Sequence, residues 1–307
     1  MSKELVICAD AITGLKEVAS SSVDMCVTSP PYFGLRDYGV SGQIGLEETP
    51  LEYINRLVDV FREVHRVLKT DGTLWVNIGD SYAGSGHGYI SELKGKQATN
   101  RGCELMVHRP PTPVPEGVKH KDLLGIPWML AFALRAEGWF LRNDIIWHKP
   151  NAMPESVKDR CTQSHEHIFL LAKSRRYYYN SEAIKEPSAY AGDHRVARGR
   201  HVCNGKYRKE GKLQNFKHMT THRNKRDVWK IPTRSFPGAH FATFPPDLIR
   251  PCILAGSRPG GIVIDPFFGA GTTGLVAVEE ERGYIGIDLN PEYVLLAEQR
   301  IKALCYK

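Results

Sequence analysis

Apolar residues along the chain fall into short runs separated by turn-forming residues. Seven of these runs read as β-strands: 5–8, 23–27, 73–78, 140–147, 168–172, 262–264 and 284–287. Several are almost continuously apolar, as expected of strands covered on both faces. Between them the spacing changes to that of a helix. The clearest case is LEYINRLVDVFREVHRVLK (51–69), where Leu51, Ile54, Leu57, Val58, Phe61, Val64, His65 and Leu68 recur at intervals of three and four. That pattern predicts one buried face and a stop at the turn Thr70-Asp71-Gly72. Further helices are predicted over 127–137, 246–255, 272–281 and 291–304. Strands alternating with helices imply an α/β fold, doubly wound around a mostly parallel sheet.

Two stretches break the rhythm. Residues 82–120 are rich in Gly, Pro and Lys and read as long loops over the sheet. Residues 185–230 show no periodicity and carry 13 Lys/Arg against 4 Asp/Glu, whereas the rest of the chain has 28 basic and 30 acidic residues. The formal charge of +7 therefore belongs to one segment. The expected organisation is a single α/β domain made of 1–184 and 231–307, with 185–230 inserted as a basic recognition region suited to nucleic-acid phosphates.

The remaining composition narrows the setting. At 307 residues and 42% hydrophobic content the chain can bury a large core. No apolar run approaches the length of a membrane span, and the apolar stretch of MSKELVICADAI is too short for a secretory signal. Seven scattered cysteines without a CxxC pair fit a reducing, cytoplasmic setting. His165, His167, His201, Cys161 and Cys203 match no finger spacing, so no metal is expected.

Two segments carry chemistry. The first, TSPPYFGLRDYG (28–39), follows the strand at 23–27. Pro30 and Pro31 fix two φ angles and remove two N–H donors, leaving a stiff edge of carbonyl acceptors. The second, GGIVIDPFFGAGTTGLVAVEEERGYIGIDLN (260–290), runs from a strand through a glycine loop into a helix, where small residues let backbone approach a ligand closely. It lacks the Gly-Lys-Ser/Thr ending of a nucleotide phosphate loop and a complete GxGxxG. Asp288 closes the next strand, 17 residues after Gly271, where a carboxylate can accept from ribose hydroxyls. The combination suits an adenosine-containing ligand without phosphate, and S-adenosylmethionine fits.

With these two segments in that order, and with 71–82, 147–160, 164–174 and 240–254 between them, the chain resembles the amino-directed DNA methyltransferases of the permuted class, which carry the SPPY motif first and the glycine loop last. The resemblance implies a seven-stranded Rossmann-like sheet with both motifs at carboxyl ends of adjacent central strands. It implies that Asp265, Phe267, Gly269, Gly271, Thr272 and Thr273 line the methionine portion of S-adenosylmethionine, that Asp288 holds the ribose, that Asp10 meets the adenine, and that Phe241 and Thr243 close over the cofactor.

On the catalytic side, Ser29 Oγ and the Pro30 carbonyl are the expected acceptors for an exocyclic amine, with Pro31 stiffening the backbone and Tyr32 stacking on a base flipped out of double-stranded DNA. Cys252 is read as core and Asp80 as a cap or a support of the site. Ser at the first motif position favours the 4-amino group of cytosine over the 6-amino group of adenine. A restriction endonuclease partner is compatible with this resemblance, and a solitary methyltransferase would carry the same motifs. An inactive DNA-binding protein on the same fold is the reading from another class, and the intact motifs argue against it.

Overall fold

Strands and helices alternate through residues 4–35, 39–84, 114, 116–188, 221–234 and 244–305, the part of the chain that the computed structural model describes. In order they are β1 (Glu4–Cys8), α1 (Ala11–Lys16), β2 (Val23–Thr28), α2 (Pro50–Val67), β3 (Leu68–Ile78), α3 (Ile126–Ala136), β4 (Phe140–His148), β5 (His165–Ala172), β6 (Glu186–Pro187), β7 (His222–Arg223), β8 (Val228–Lys230), α4 (Pro246–Gly256), β9 (Ile262–Asp265), α5 (Thr272–Glu279), β10 (Gly283–Asp288) and α6 (Pro291–Cys305). No helix among them is long and apolar enough to cross a membrane.

The main sheet has the order β1-β10-β9-β2-β3-β5-β4-β8. All neighbouring pairs are parallel except those of β5, which runs against both β3 and β4. The sheet thus has eight strands rather than seven. The extra one, β8, lies within the stretch assigned to the insertion. Its Trp229 stands opposite Trp147 of β4, and both rings are buried, which anchors three residues too short to show a pattern of their own.

Helices cover both faces. Leu15 of α1, Leu57 of α2 and Leu130 of α3 join one apolar cluster; Ile253 of α4, Val276 of α5 and Ile301 of α6 join the other. Between them β2 is buried at all six positions. Complete burial of such side chains stabilises by about 1.5–3 kcal/mol each, so the centre of the sheet is the rigid base of whatever its ends carry.

The predicted α2 needs two corrections. It opens on a capping box, Thr49 with Glu52, and ends at Val67; Leu68 already begins β3, so no turn forms at 70–72. Leu51 is exposed while Tyr53, Val60 and Val67 are buried. The helix is wedged between the sheet and two other helices, so a second stripe at seven-residue spacing is covered as well.

Asp80 accepts the N–H groups of Gly125 and Ile126 at 3.1 and 3.0 Å, which makes it the cap of α3. β6 and β7 form a separate antiparallel pair, closed by Ser188 N–H donating to the Thr221 carbonyl at 2.9 Å and by Arg223 on Glu186 at 2.8 Å. The greater part of the predicted loops at 82–120 and of the basic segment lies outside the described residues.

Candidate active site

β9 and β2 are parallel neighbours, with Met25 opposite Val263 and Cys26 opposite Ile264. Both strands therefore end at the same edge, and the segments that leave them, the glycine loop and Ser29–Tyr32, lie side by side as expected. A cavity of about 740 Å³ opens between them. In open α/β sheets ligands bind at such an edge, where successive crossovers diverge.

On the glycine-loop side, Gly269 and Gly271 have φ of 51° and 74°, values that favour glycine. At Gly271 a Cβ would also stand 2.7 Å from Ala297 Cβ. Asp288 pins the loop: its carboxylate accepts from Gly269 N–H at 2.6 Å and from Asn290 N–H at 2.9 Å. Burial pushes its carboxyl above the usual range. Phe267, Gly269, Thr272 and Asp288 line the cavity, and so does Asp10, which also caps α1 through Thr13 N–H at 3.0 Å.

Asp265, Gly271 and Thr273 lie behind this wall instead of on it. Asp265 is buried and fully engaged, with Thr28 Oγ1 and Phe267 N–H on one oxygen at 2.6 and 3.0 Å and Thr273 Oγ1 on the other at 2.6 Å. It ties the end of β2 to the start of α5 and so braces both halves of the cavity. Phe241 and Thr243 lie outside the described residues.

Burial, reinforced by the nearby charge of Asp288, raises the Asp265 carboxyl from 3.8 to about 6. Between those values the native state holds a proton that the unfolded chain has lost. The group's contribution to stability therefore falls as pH rises from about 4 to about 6 and is constant above. Asp265→Asn removes this titration. Relative to the parent, its thermal midpoint is expected to move upward as pH is raised from 4 to 7, and a difference that stays constant across that range overturns the role given to the carboxyl.

On the proline side the motif is held from several directions. The Pro31 carbonyl accepts from Tyr53 Oη at 2.8 Å. Tyr32 Oη donates to Glu166 Oε2 at 2.7 Å, and burial together with the Glu166 charge pushes the phenol well above its ordinary value, so it stays a donor. Among the described residues Ser29 Oγ reaches only Tyr32 Oη, at 3.5 Å, and nothing donates to the Pro30 carbonyl. Both oxygens line or border the cavity without a strong partner.

Cys252 is buried in α4, its thiol raised by burial, and takes no part in the site. Tyr177 and Tyr178 are covered by Arg142 and Arg258, and Tyr179 stacks on Trp75, so this tyrosine run packs against the fold. His167 Nδ1 lies 2.8 Å from Asp144 Oδ1.

Tyr53, Asn77, Lys149 and Glu166 were not singled out from the sequence. Asn77 did leave a signal, being a polar residue inside the apolar run 73–78; Glu166, between His165 and His167 and ahead of the run at 168–172, did not.

Comparison with known proteins agrees with this geometry. The profile of the N6/N4 DNA methylase family matches residues 23–299. The chain is 51% identical to the type II methyltransferase M.Cfr9I of Citrobacter freundii over 293 residues, 95% of this chain and 86% of that protein. It is also 51% identical to M.SmaI of Serratia marcescens over 296 residues, 96% and 90% of the two chains. Among solved structures, the PvuII DNA methyltransferase, described as cytosine-N4-specific, superposes with a TM-score of 0.64 at 20% identity over 98% of this chain and 86% of its own. A putative DNA modification methylase of Thermus thermophilus, TTHA0409, solved with S-adenosyl-L-methionine, gives 0.58 at 25% identity over 98% and 95%. The chain belongs to the DNA methylase family.

Proposed function

We propose that the protein transfers a methyl group from S-adenosylmethionine to the 4-amino group of cytosine in double-stranded DNA, as a permuted amino-methyltransferase whose segment 185–230 serves target recognition. The observation that carries this reading is the pairing in one cavity of a pinned glycine loop with the acceptor-rich Ser29–Tyr32 segment, delivered by adjacent strands.

The residues present fit the cofactor. Each Asp288 oxygen takes one backbone N–H, and a carboxylate has about four acceptor sites, which leaves capacity for ribose hydroxyls. α5 starts at Thr272 behind Gly271 with no side-chain cap, so its first amides are free to meet a carboxylate. When bound, S-adenosylmethionine supplies an electrophilic methyl group on a sulfonium.

The amine of cytosine is a weak nucleophile because its lone pair is delocalised into the ring. In this reading Ser29 Oγ and the Pro30 carbonyl accept its two N–H bonds, which favours a more pyramidal nitrogen and aims the lone pair along the transfer axis. Because prolines and the Tyr53 hydrogen bond fix this backbone, the acceptors need no reorganisation during reaction. Tyr32 offers a ring on which the flipped base stacks.

Ser29 at the head of the motif supports cytosine over adenine, and so does the resemblance in fold to a cytosine-N4-specific enzyme. The test is to incubate the protein with unmethylated DNA and methyl-labelled S-adenosylmethionine, digest to nucleosides and identify the labelled product by mass spectrometry. Label on 4-methylcytosine is the expected result. Label on 6-methyladenine overturns the choice of base, and absence of both DNA label and cofactor binding overturns the enzymatic reading.

A further inference from the structure

Four neighbouring strands each deliver one polar side chain to a single point of the cavity wall. Tyr32 follows the end of β2, Asn77 is the penultimate residue of β3, Lys149 follows β4, and Glu166 is the second residue of β5. The first three strands finish at this edge. β5 begins there, because it alone runs the other way.

Glu166 is the centre of the cluster. Its Oε2 accepts from Tyr32 Oη at 2.7 Å and from Asn77 Nδ2 at 3.1 Å, and its Oε1 pairs with the Lys149 ammonium. Lys149 also lies over the Trp147 ring, 4.4 Å from its centroid. The Glu166 side chain is only 13% exposed, so an isolated carboxylate there would be costly; the ammonium and two further donors offset that cost. The far side of the tyrosine ring is fixed as well. It packs on Gly79, where a Cβ would come within 2.8 Å of Tyr32 Cε2.

A ring held along one edge by bare backbone and tethered by its hydroxyl has little freedom to turn. We propose that Glu166 is a positioning residue for methyl transfer, setting the plane of Tyr32 and through it the angle at which the target base presents its amine to Ser29 and Pro30. This rests on the methyl-transfer reading of the cavity. Lys149 and Asn77 hold the carboxylate in place, while Glu166 itself acts only through the tyrosine. A ring tilted away from its plane still stacks, but the amine then points off the transfer axis, which costs rate more than affinity.

Three variants test this: Tyr32→Phe, which keeps the ring and loses the tether, Glu166→Ala, and the two combined. Each single change is expected to lower kcat by about 10- to 100-fold while KM for S-adenosylmethionine stays within about twofold. The double variant is expected to fall no further than the weaker single, because both remove the same tether. A double loss equal to the product of the single losses overturns the proposal, as does a Glu166→Ala variant with raised KM and unchanged kcat. If Glu166→Ala does not fold, Glu166→Met, of similar length without an acceptor, replaces it on the same terms. Failure of the underlying reading looks different, since the parent protein would then place no label on DNA.

Discussion

Replacing Tyr32 with alanine is expected to lower the rate of methyl transfer by roughly 100-fold or more and to leave affinity for S-adenosylmethionine within about twofold. Two effects combine. Loss of the ring removes a stacking surface worth about 1–3 kcal/mol for a flipped base. It also empties the space between Gly79 and Glu166 in which the base plane is defined. Cofactor affinity is spared because the glycine loop is held by other groups: Asp265 and Asp288 accept from its backbone and from Thr273, and Arg300 donates to the Ala270 carbonyl, without help from Tyr32. Single-turnover transfer and equilibrium cofactor binding, measured on the same preparation, separate the two. Equal loss of both would mean that the halves of the cavity are not independent.

Asp288→Ala should behave in the opposite sense. The substitution removes two hydrogen bonds from backbone amides to a carboxylate, at Gly269 and Asn290. Hydrogen bonds to charged groups contribute about 1.5–3 kcal/mol each, and the same oxygens are those offered to the ribose. Kd for S-adenosylmethionine is therefore expected to rise by about 100-fold, while transfer at saturating cofactor falls much less. Calorimetric titration with the cofactor measures the first and steady-state kinetics the second. An unchanged Kd would remove Asp288 from the cofactor site.

The parts of this architecture that could be read from the sequence are those written in local pattern. The seven longer strands were legible because each is a run of apolar residues between turn residues, and the two segments that flank the cavity because prolines restrict the backbone of one and glycines free that of the other. β8 was not legible. Three residues carry no period, and Trp229 is buried only because Trp147 stands opposite it.

The same limit explains Glu166. It stands in the polar start of β5, between two histidines, and its meaning depends on Tyr32, 134 positions away in the chain, and on β5 running antiparallel. Asp265 shows the same dependence on distant partners. The sequence expectation set it against the methionine portion of the cofactor; in the structure its carboxylate is engaged by Thr28, Phe267 and Thr273 and braces the loop from behind the cavity wall. Leu51 and Tyr53 exchanged places because a helix wedged between the sheet and two other helices hides more than one stripe.

The short clasp between β6 and β7 has a consequence for how the protein can diversify. Ser188 and Thr221 meet there, so both ends of the intervening segment are fixed to each other independently of what lies between. The entropy of closing a loop grows only with the logarithm of its length, about 0.6 kcal/mol for each doubling. Insertions, deletions or wholesale exchange between these two residues should therefore cost the fold little, and the cavity-lining groups among the described residues belong to the two halves of the chain on either side of the clasp. If this segment reads the DNA sequence, as proposed, target choice and chemistry can evolve on separate schedules, with a new specificity grafted at the clasp while the methyl-transfer edge stays as it is.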